Sequence, residues 1–147
     1  MKSVLDASTR EELVQRINTL NENSVAQWGK MNVYQMVKHC SMWDEMVHNN
    51  KMGKRVFIGR IIGGIALKSV LKDEKPLEKN SLTLRELIIK ENGDVATEKE
   101  KWISLIKRYE GFSHDYFVHP FFGKMTRQQI GCFAYKHTDH HLRQFNS

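Results

Sequence analysis

The residues of this chain best equipped for chemistry are histidines in the run His137-Thr138-Asp139-His140-His141. From Ile130, Phe133 and Ala134 follow at i+3 and i+4, and His137, His141 and Phe145 continue the same stripe at i+7, i+11 and i+15. The spacing predicts a helix that turns two imidazoles inward, one turn apart. A buried imidazole must pair its ring nitrogens or lose hydration, and two of them about 6 Å apart at Cβ can converge on one metal ion.

A catalytic zinc or nickel takes three protein ligands as a rule and keeps a position for water or substrate. The third ligand must come from His39, His48, His114, His119 or His140. His39 falls on the flank of another helical stripe, near mid-helix, where a facing helix meets it, and is the choice on geometry; His119 is second. His140 is turned about 60° from His137, His48 sits near a helix end, and His114 and His119 fall in the loop before the last helix. Cys40, on the stripe, reads as a small core hydrophobe, and Cys132 points some 160° from His137. Asp139 is turned as far away and is assigned to the surface. No general base is identifiable; Glu45, Tyr34 and Tyr135 are equal in this respect.

Helix signals dominate the elements that must position these residues. Capping boxes at Ser8–Glu11 and Thr9–Glu12, with Leu13, Ile17 and Leu20 as the stripe, predict a first helix over about 9–20. Asn32 and Gln35 make a box for the second, with Met31 and Met36 as staple, the stripe Val33, Met36, Val37, Cys40, Trp43 and Val47, and Asn49-Asn50 as its end. A box at Thr97–Glu100, the stripe Trp102, Ile106 and Tyr109, and Gly111 as stop predict a third; Thr126 and Gln129, with Met125 and Ile130 as staple, begin the last. Between the second and third, 56–71 reads as a short buried or lid-like helix weakened by glycines, and 81–89 as extended or helical. Two helix leads repeat: Trp28-Gly29-Lys30-Met31 and Phe122-Gly123-Lys124-Met125. They are either two independently well-made helix starts or the mark of two equivalent helices that share the presentation of ligands. The fold class expected is all-α, a four-helix bundle with a long crossover between helices 2 and 3, as one domain over 1–147.

The segments Trp28-Gly29-Lys30-Met31, Gln35-Met36, His39-Cys40 and His119-Pro120-Phe121-Phe122-Gly123-Lys124-Met125-Thr126, with the H-x-x-H-H-x-x-Q-type ending from Tyr135 to Phe145, resemble an uncharacterised branch of the DinB/YfiT-like metalloenzyme superfamily. The resemblance implies a metal triad of one histidine on helix 2 and two on helix 4. Residue by residue, these are His39, His137 and His141. It supplies no motif for 51–90 and no substrate.

Composition bounds the rest. The net charge of +6 invites an anionic partner, but 97–110 mixes signs as a solvated helix face does, and only Lys51 to Arg60 is one-signed. No helix-turn-helix, RNP-type strand or zinc-finger spacing is present, so nucleic acid is disfavoured as a partner. The two cysteines read as reduced thiols, the start lacks an apolar signal core, and the greasy run 56–71 is broken by Arg60, Lys68 and three glycines. The expectation is a cytoplasmic protein with no membrane partner, with a homodimer left open.

Two functional readings compete. One is a metal-dependent enzyme, a hydrolase or thiol-dependent transferase in which a divalent transition metal, zinc or nickel first, activates a bound water or thiol toward a small-molecule substrate or with a low-molecular-weight thiol. The other is a non-catalytic, metal-stabilised binding or stress-related module, favoured by a fourth protein ligand such as His119 or His140.

Overall fold

The computed structural model describes residues 1–51, 54–81 and 83–147; Met52, Gly53 and Leu82, which fall in the segments read above as one-signed and as extended or helical, lie outside the described residues. The elements are α1 (Ala7–Thr19), α2 (Val33–His48), α3 (Phe57–Val70), α4 (Val95–Arg108), β1 (Tyr116–His119), β2 (Gly123–Thr126) and α5 (Arg127–Gln144), with 3-10 turns at Arg85–Leu87 and Tyr109–Gly111. The expected all-α four-helix bundle is therefore incorrect. A fifth helix occupies the crossover, and an antiparallel hairpin, Tyr116 opposite Thr126 and His119 opposite Gly123, leads into α5. Four-residue strands are too short to show alternation over a useful window. The run Tyr116-Phe117-Val118-His119, rich in aromatic and β-branched residues and bounded by Pro120 and Gly123, was the strand signal within what was read as a loop.

Helices α2 and α4, α4 and α1, α1 and α5, and α5 and α2 pack in turn around one core. Leu13 and Ile17 of α1, Met36, Val37 and Cys40 of α2, Trp102 and Ile106 of α4, and Ala134 and Leu142 of α5 are fully buried there. Each large aliphatic side chain so buried contributes roughly 1.5–3 kcal/mol. The stripe expected for α2 is buried throughout, and its capping box forms. The other N-termini differ. Helix α1 starts earlier, after Asp6, with no side-chain cap, so the two boxes read from Ser8 and Thr9 are not used. Helix α4 is capped by Asp94, whose carboxylate accepts from Thr97 N–H at 2.7 Å, three residues before the box expected at Thr97. An aspartate cap outcompetes the threonine because its charge also faces the positive helix end.

The α2–α4 seam is polar as well as apolar. Asp44, wholly buried, accepts hydrogen bonds from Trp102 Nε1 (3.0 Å) and the Tyr109 hydroxyl (2.8 Å). Glu98 accepts from the Ser41 hydroxyl and from Lys38 Nζ at 3.1 Å, and His48 Nε2 donates to the Leu105 carbonyl at 2.9 Å. Asp139, expected at the surface, is buried beneath two arginines: Arg16 Nη1 and Arg143 Nε each donate to it at 2.7 Å, and Arg16 also holds the Ser147 carbonyl at 2.8 Å. The angular reading placed Asp139 away from His137 correctly, but that direction meets α1 rather than solvent.

Burial pushes the Asp44 carboxyl up to about 7, against the pull of its two donors. An unfolded Asp ionises near 3.9, so between about 4 and 7 the folded chain holds the extra proton, and this group's stabilisation falls as pH rises through that window. Asp44→Asn cannot ionise. The stability difference between the native chain and Asp44→Asn, from urea unfolding, is therefore expected to shift against the native chain as pH rises from about 5 to about 8. A difference independent of pH would refute the raised carboxyl pKa.

Candidate metal centre

The two helices that carry the sequence-predicted ligands start from the same device. Gly29 and Gly123 both take left-handed φ, +83° and +84°, which a residue with a Cβ adopts only at a cost. At Gly29 a Cβ would also stand 2.6 Å from Gln144 Nε2. A Lys-Met pair follows each glycine, and then a full capping box: Asn32 Oδ1 accepts from Gln35 N–H at 2.9 Å while Gln35 Oε1 accepts from Asn32 N–H at 3.1 Å. Thr126 and Gln129 repeat the exchange at 3.3 and 2.9 Å. The repeat is thus one backbone arrangement used twice, ahead of α2 with His39 and ahead of α5 with His137 and His141.

The fold brings His39, His137 and His141 together: one ring nitrogen from each lies within 4.8 Å of the others, a group that could hold a metal ion. His39 Nε2 and His137 Nε2 are 3.0 Å apart, although 98 positions separate them in sequence. The ring of His141 lies 4.8 Å, centroid to centroid, from each of the other two.

The surroundings fix two of the three tautomers. His39 Nδ1 lies 3.0 Å from the Leu87 carbonyl, which can only accept, so the proton is on Nδ1 and the Nε2 lone pair is free. Gln144 Nε2 donates to the Trp28 carbonyl at 2.7 Å, which turns Gln144 Oε1 toward His141 Nδ1 at 2.9 Å; that nitrogen must donate, and His141 Nε2 is also left with its lone pair. Such outer hydrogen bonds orient metal-binding imidazoles and raise their basicity. His137 differs: its Nδ1 is buried without a partner, and the ring is held by stacking on Phe133 (6.1 Å) and tilted contact with Trp43 (5.5 Å). Three imidazoles with two lone pairs already presented suit a divalent transition ion.

Burial holds all three rings in the neutral form. It is the first cause of the lowered pKa of His39, of the strongly lowered pKa of His137 and of the fall of His141 to about 3, and repulsion from neighbouring histidines, His140 among them, adds to it. Neutral imidazole is the form that ligates a metal.

The other candidates fall elsewhere. His119, second choice for the third ligand, ends β1 beside Trp43 and Phe133, but its Nδ1 accepts from the backbone N–H of Phe121 (3.0 Å) and Phe122 (3.1 Å). The neutral ring therefore carries its proton on Nε2 and offers no second lone pair. Burial, with Arg55 nearby, pushes its pKa down to about 3. His140 packs edge-on against Trp28 and lines a groove with Trp28, Leu77, Lys79 and Arg143. His48 and His114 serve the far end of α2. Both cysteines are free and buried, Cys40 in the core and Cys132 beside Gln128. Sequence reasoning on the residues missed the supports: Gln144 had a signal, lying at i+3 from His141 on the same helix, whereas the Leu87 carbonyl had none.

Several substitutions separate these roles. His137→Ala and His141→Ala are expected to lower zinc affinity by more than about 100-fold, and Gln144→Leu by about 10- to 100-fold. His140→Ala should change it little. His119→Ala strands two backbone donors and should cost about 1–3 kcal/mol in urea unfolding while leaving zinc affinity in place. Loss of zinc with His119→Ala at retained helicity would make His119 a ligand and refute the tautomer assigned to it.

Comparison with curated proteins and with solved structures returned no match. One family matches the whole chain, over residues 1–147. The chain belongs to the family described as "Protein of unknown function (DUF1569)".

Proposed function

We propose that this chain is a metal-dependent enzyme in which His39, His137 and His141 hold one divalent transition-metal ion, zinc or nickel first. The observation that carries the reading is the convergence of three imidazoles, those of His39 and His141 buried and that of His137 half-buried, two with Nδ1 committed to a backbone carbonyl or an amide oxygen, in a cluster that among the described residues contains no fourth ligand. Three protein ligands are the mark of an open, catalytic site, whereas structural zinc is closed by four. When bound, such an ion supplies a Lewis acid that draws the pKa of a coordinated water or thiol toward neutrality. Hydrolysis, or transfer involving a low-molecular-weight thiol, is the chemistry this favours, and resemblance to the DinB/YfiT-like metalloenzymes belongs to the same reading.

The chain's own residues orient and enclose. The Leu87 carbonyl and Gln144 aim two rings, and Trp43 and Phe133 pack against the third. A groove of about 440 Å³ lined by Trp28, Leu77, Lys79, His140 and Arg143 lies on the other side of His140, whose ring is 5.1 Å from that of His141; none of the three ligands lines it. A cytoplasmic setting fits the two free thiols.

The burial of His39 and His141 favours a second reading, a non-catalytic module stabilised by its ion. Cobalt substitution separates the two. The enzyme reading expects one ion per chain and a visible spectrum that shifts when azide or a small thiol takes the open position. A spectrum unmoved by either ligand favours the structural reading, and no uptake of zinc, nickel or cobalt at neutral pH refutes both. The depressed histidine pKa values also move the acid limit: loading should persist below the ordinary histidine pKa of about 6.5 and fall only as pH descends toward the value of about 3 for His141. Loss of metal centred near 6.5 would show that burial does not protect the ligands.

A further inference from the structure

Helix α3 was expected to be short and buried or lid-like; it is a full helix, but not a buried one. Its inner face is Gly59, Gly63 and Leu67, and a Cβ at either glycine would overlap the Phe121 backbone, so the helix rests directly on the turn between β1 and β2. Lys136 Nζ fixes its end by donating to the Val70 carbonyl at 2.6 Å and the Asp73 carbonyl at 2.9 Å. With that face committed, the opposite arc of about 140° carries Phe57, Ile58, Ile61, Ile62 and Ile65, with Lys68 and Ser69 at its C-terminal end, and all of it faces solvent. Phe57 is 76% exposed, Ile65 72% and Ile61 65%. An exposed apolar face of this extent marks a contact with another protein or with lipid.

Charge selects the occupant. No acidic residue stands between Glu45 and Asp73, whereas Lys51, Lys54, Arg55, Arg60, Lys68 and Lys72 do. Without these six of the 23 basic residues, the remaining basic residues equal the 17 acidic ones, so the whole excess of +6 lies on and beside α3. Lys51, Lys54, Arg60, Lys68 and Lys72 are exposed and form no ion pair among the described residues. A second copy meeting the same face would set cations against cations. Nucleic acid would neutralise the charges but leave the isoleucines in water. A surface that is both apolar and anionic satisfies both.

We propose that α3 is a docking plate for an anionic lipid surface, lying in the interface with Phe57, Ile61 and Ile65 among the acyl chains and the flanking Lys and Arg at the headgroups. Fourteen residues span about 21 Å, and no helix among the described residues is long and apolar enough to cross a membrane, so the contact is peripheral. The inference stands apart from the metal reading and departs from the sequence expectation of no membrane partner.

Vesicle flotation of the full chain tests it, with phosphatidylcholine alone and with phosphatidylcholine mixed with phosphatidylglycerol. The chain is expected to float with the mixed vesicles, to remain behind with the neutral ones, and to be released by salt. Ile61→Asp with Ile65→Asp should lower partition by more than about tenfold at unchanged helicity and melting. Arg60→Gln and Lys68→Gln should each lower it about fivefold, and they keep the test valid if the double aspartate variant unfolds. Failure to float with mixed vesicles overturns the proposal, as does equal, salt-insensitive flotation with both compositions. So does a dimer in sedimentation that the aspartate variant splits, without vesicle binding, because a second copy is then the occupant.

Discussion

Bringing three neutral imidazoles together is the constraint around which this fold is arranged. Each ring brings two nitrogens, and each nitrogen without a partner in the interior costs about 1–3 kcal/mol. The chain meets two of the six requirements by hydrogen bonds of its own: His39 Nδ1 donates to the Leu87 carbonyl and His141 Nδ1 to Gln144, while the Nε2 atoms of His39 and His137 are left facing one another. The segment containing Leu87 must therefore close over α2, and Trp28 must stand where it can hold Gln144 in the right flip. The crossover and the stretch before α2 are placed by these hydrogen bonds as much as by apolar packing.

The polar seam between α2 and α4 has a related task. Asp44, Glu98, Ser41, Tyr109 and Trp102 hydrogen-bond across it with specific partners, so α2 cannot slide or rotate against α4 without stranding a buried group. Apolar stripes tolerate such slips better, because a leucine finds similar contacts one turn away. The seam thus fixes the rotation of α2 that turns His39 toward α5, and Asp139 with Arg16 and Arg143 does the corresponding work for α5 against α1.

The triad was legible in the sequence because helical periodicity alone distinguishes His137 and His141 from His140, and because capping boxes at Asn32 and Thr126 set the phase of both helices. The start of α4 was misplaced since several polar residues there were fit to cap, and only tertiary context chose Asp94. The hairpin was missed because two short strands leave little pattern. Helix α3 reads from the sequence as buried or lid-like because apolar residues dominate most of its circumference; periodicity gives little phase in such a segment, and which side is covered depends on where Phe121 lies. The supports of the site were the least legible part, since a backbone carbonyl such as that of Leu87 has no identity in the sequence.

The 98 positions between His39 and His137 carry a thermodynamic consequence. A chelate assembled from neighbouring residues can form in a disordered chain, but this one cannot, because its members meet only after most of the polypeptide has been organised. Closing a loop of that length costs several kcal/mol of chain entropy, and the cost is met by the helices before any ion arrives. The unfolded ensemble is then left with only the weak His137–His141 pair, so an ion held by the triad would select the native state almost alone. At a free concentration 100 times its dissociation constant it would add about 2.7 kcal/mol to the unfolding free energy of the entire domain. For a domain of ordinary stability that is a sizeable share, and the availability of metal in the cell would then regulate how long each molecule survives proteolysis.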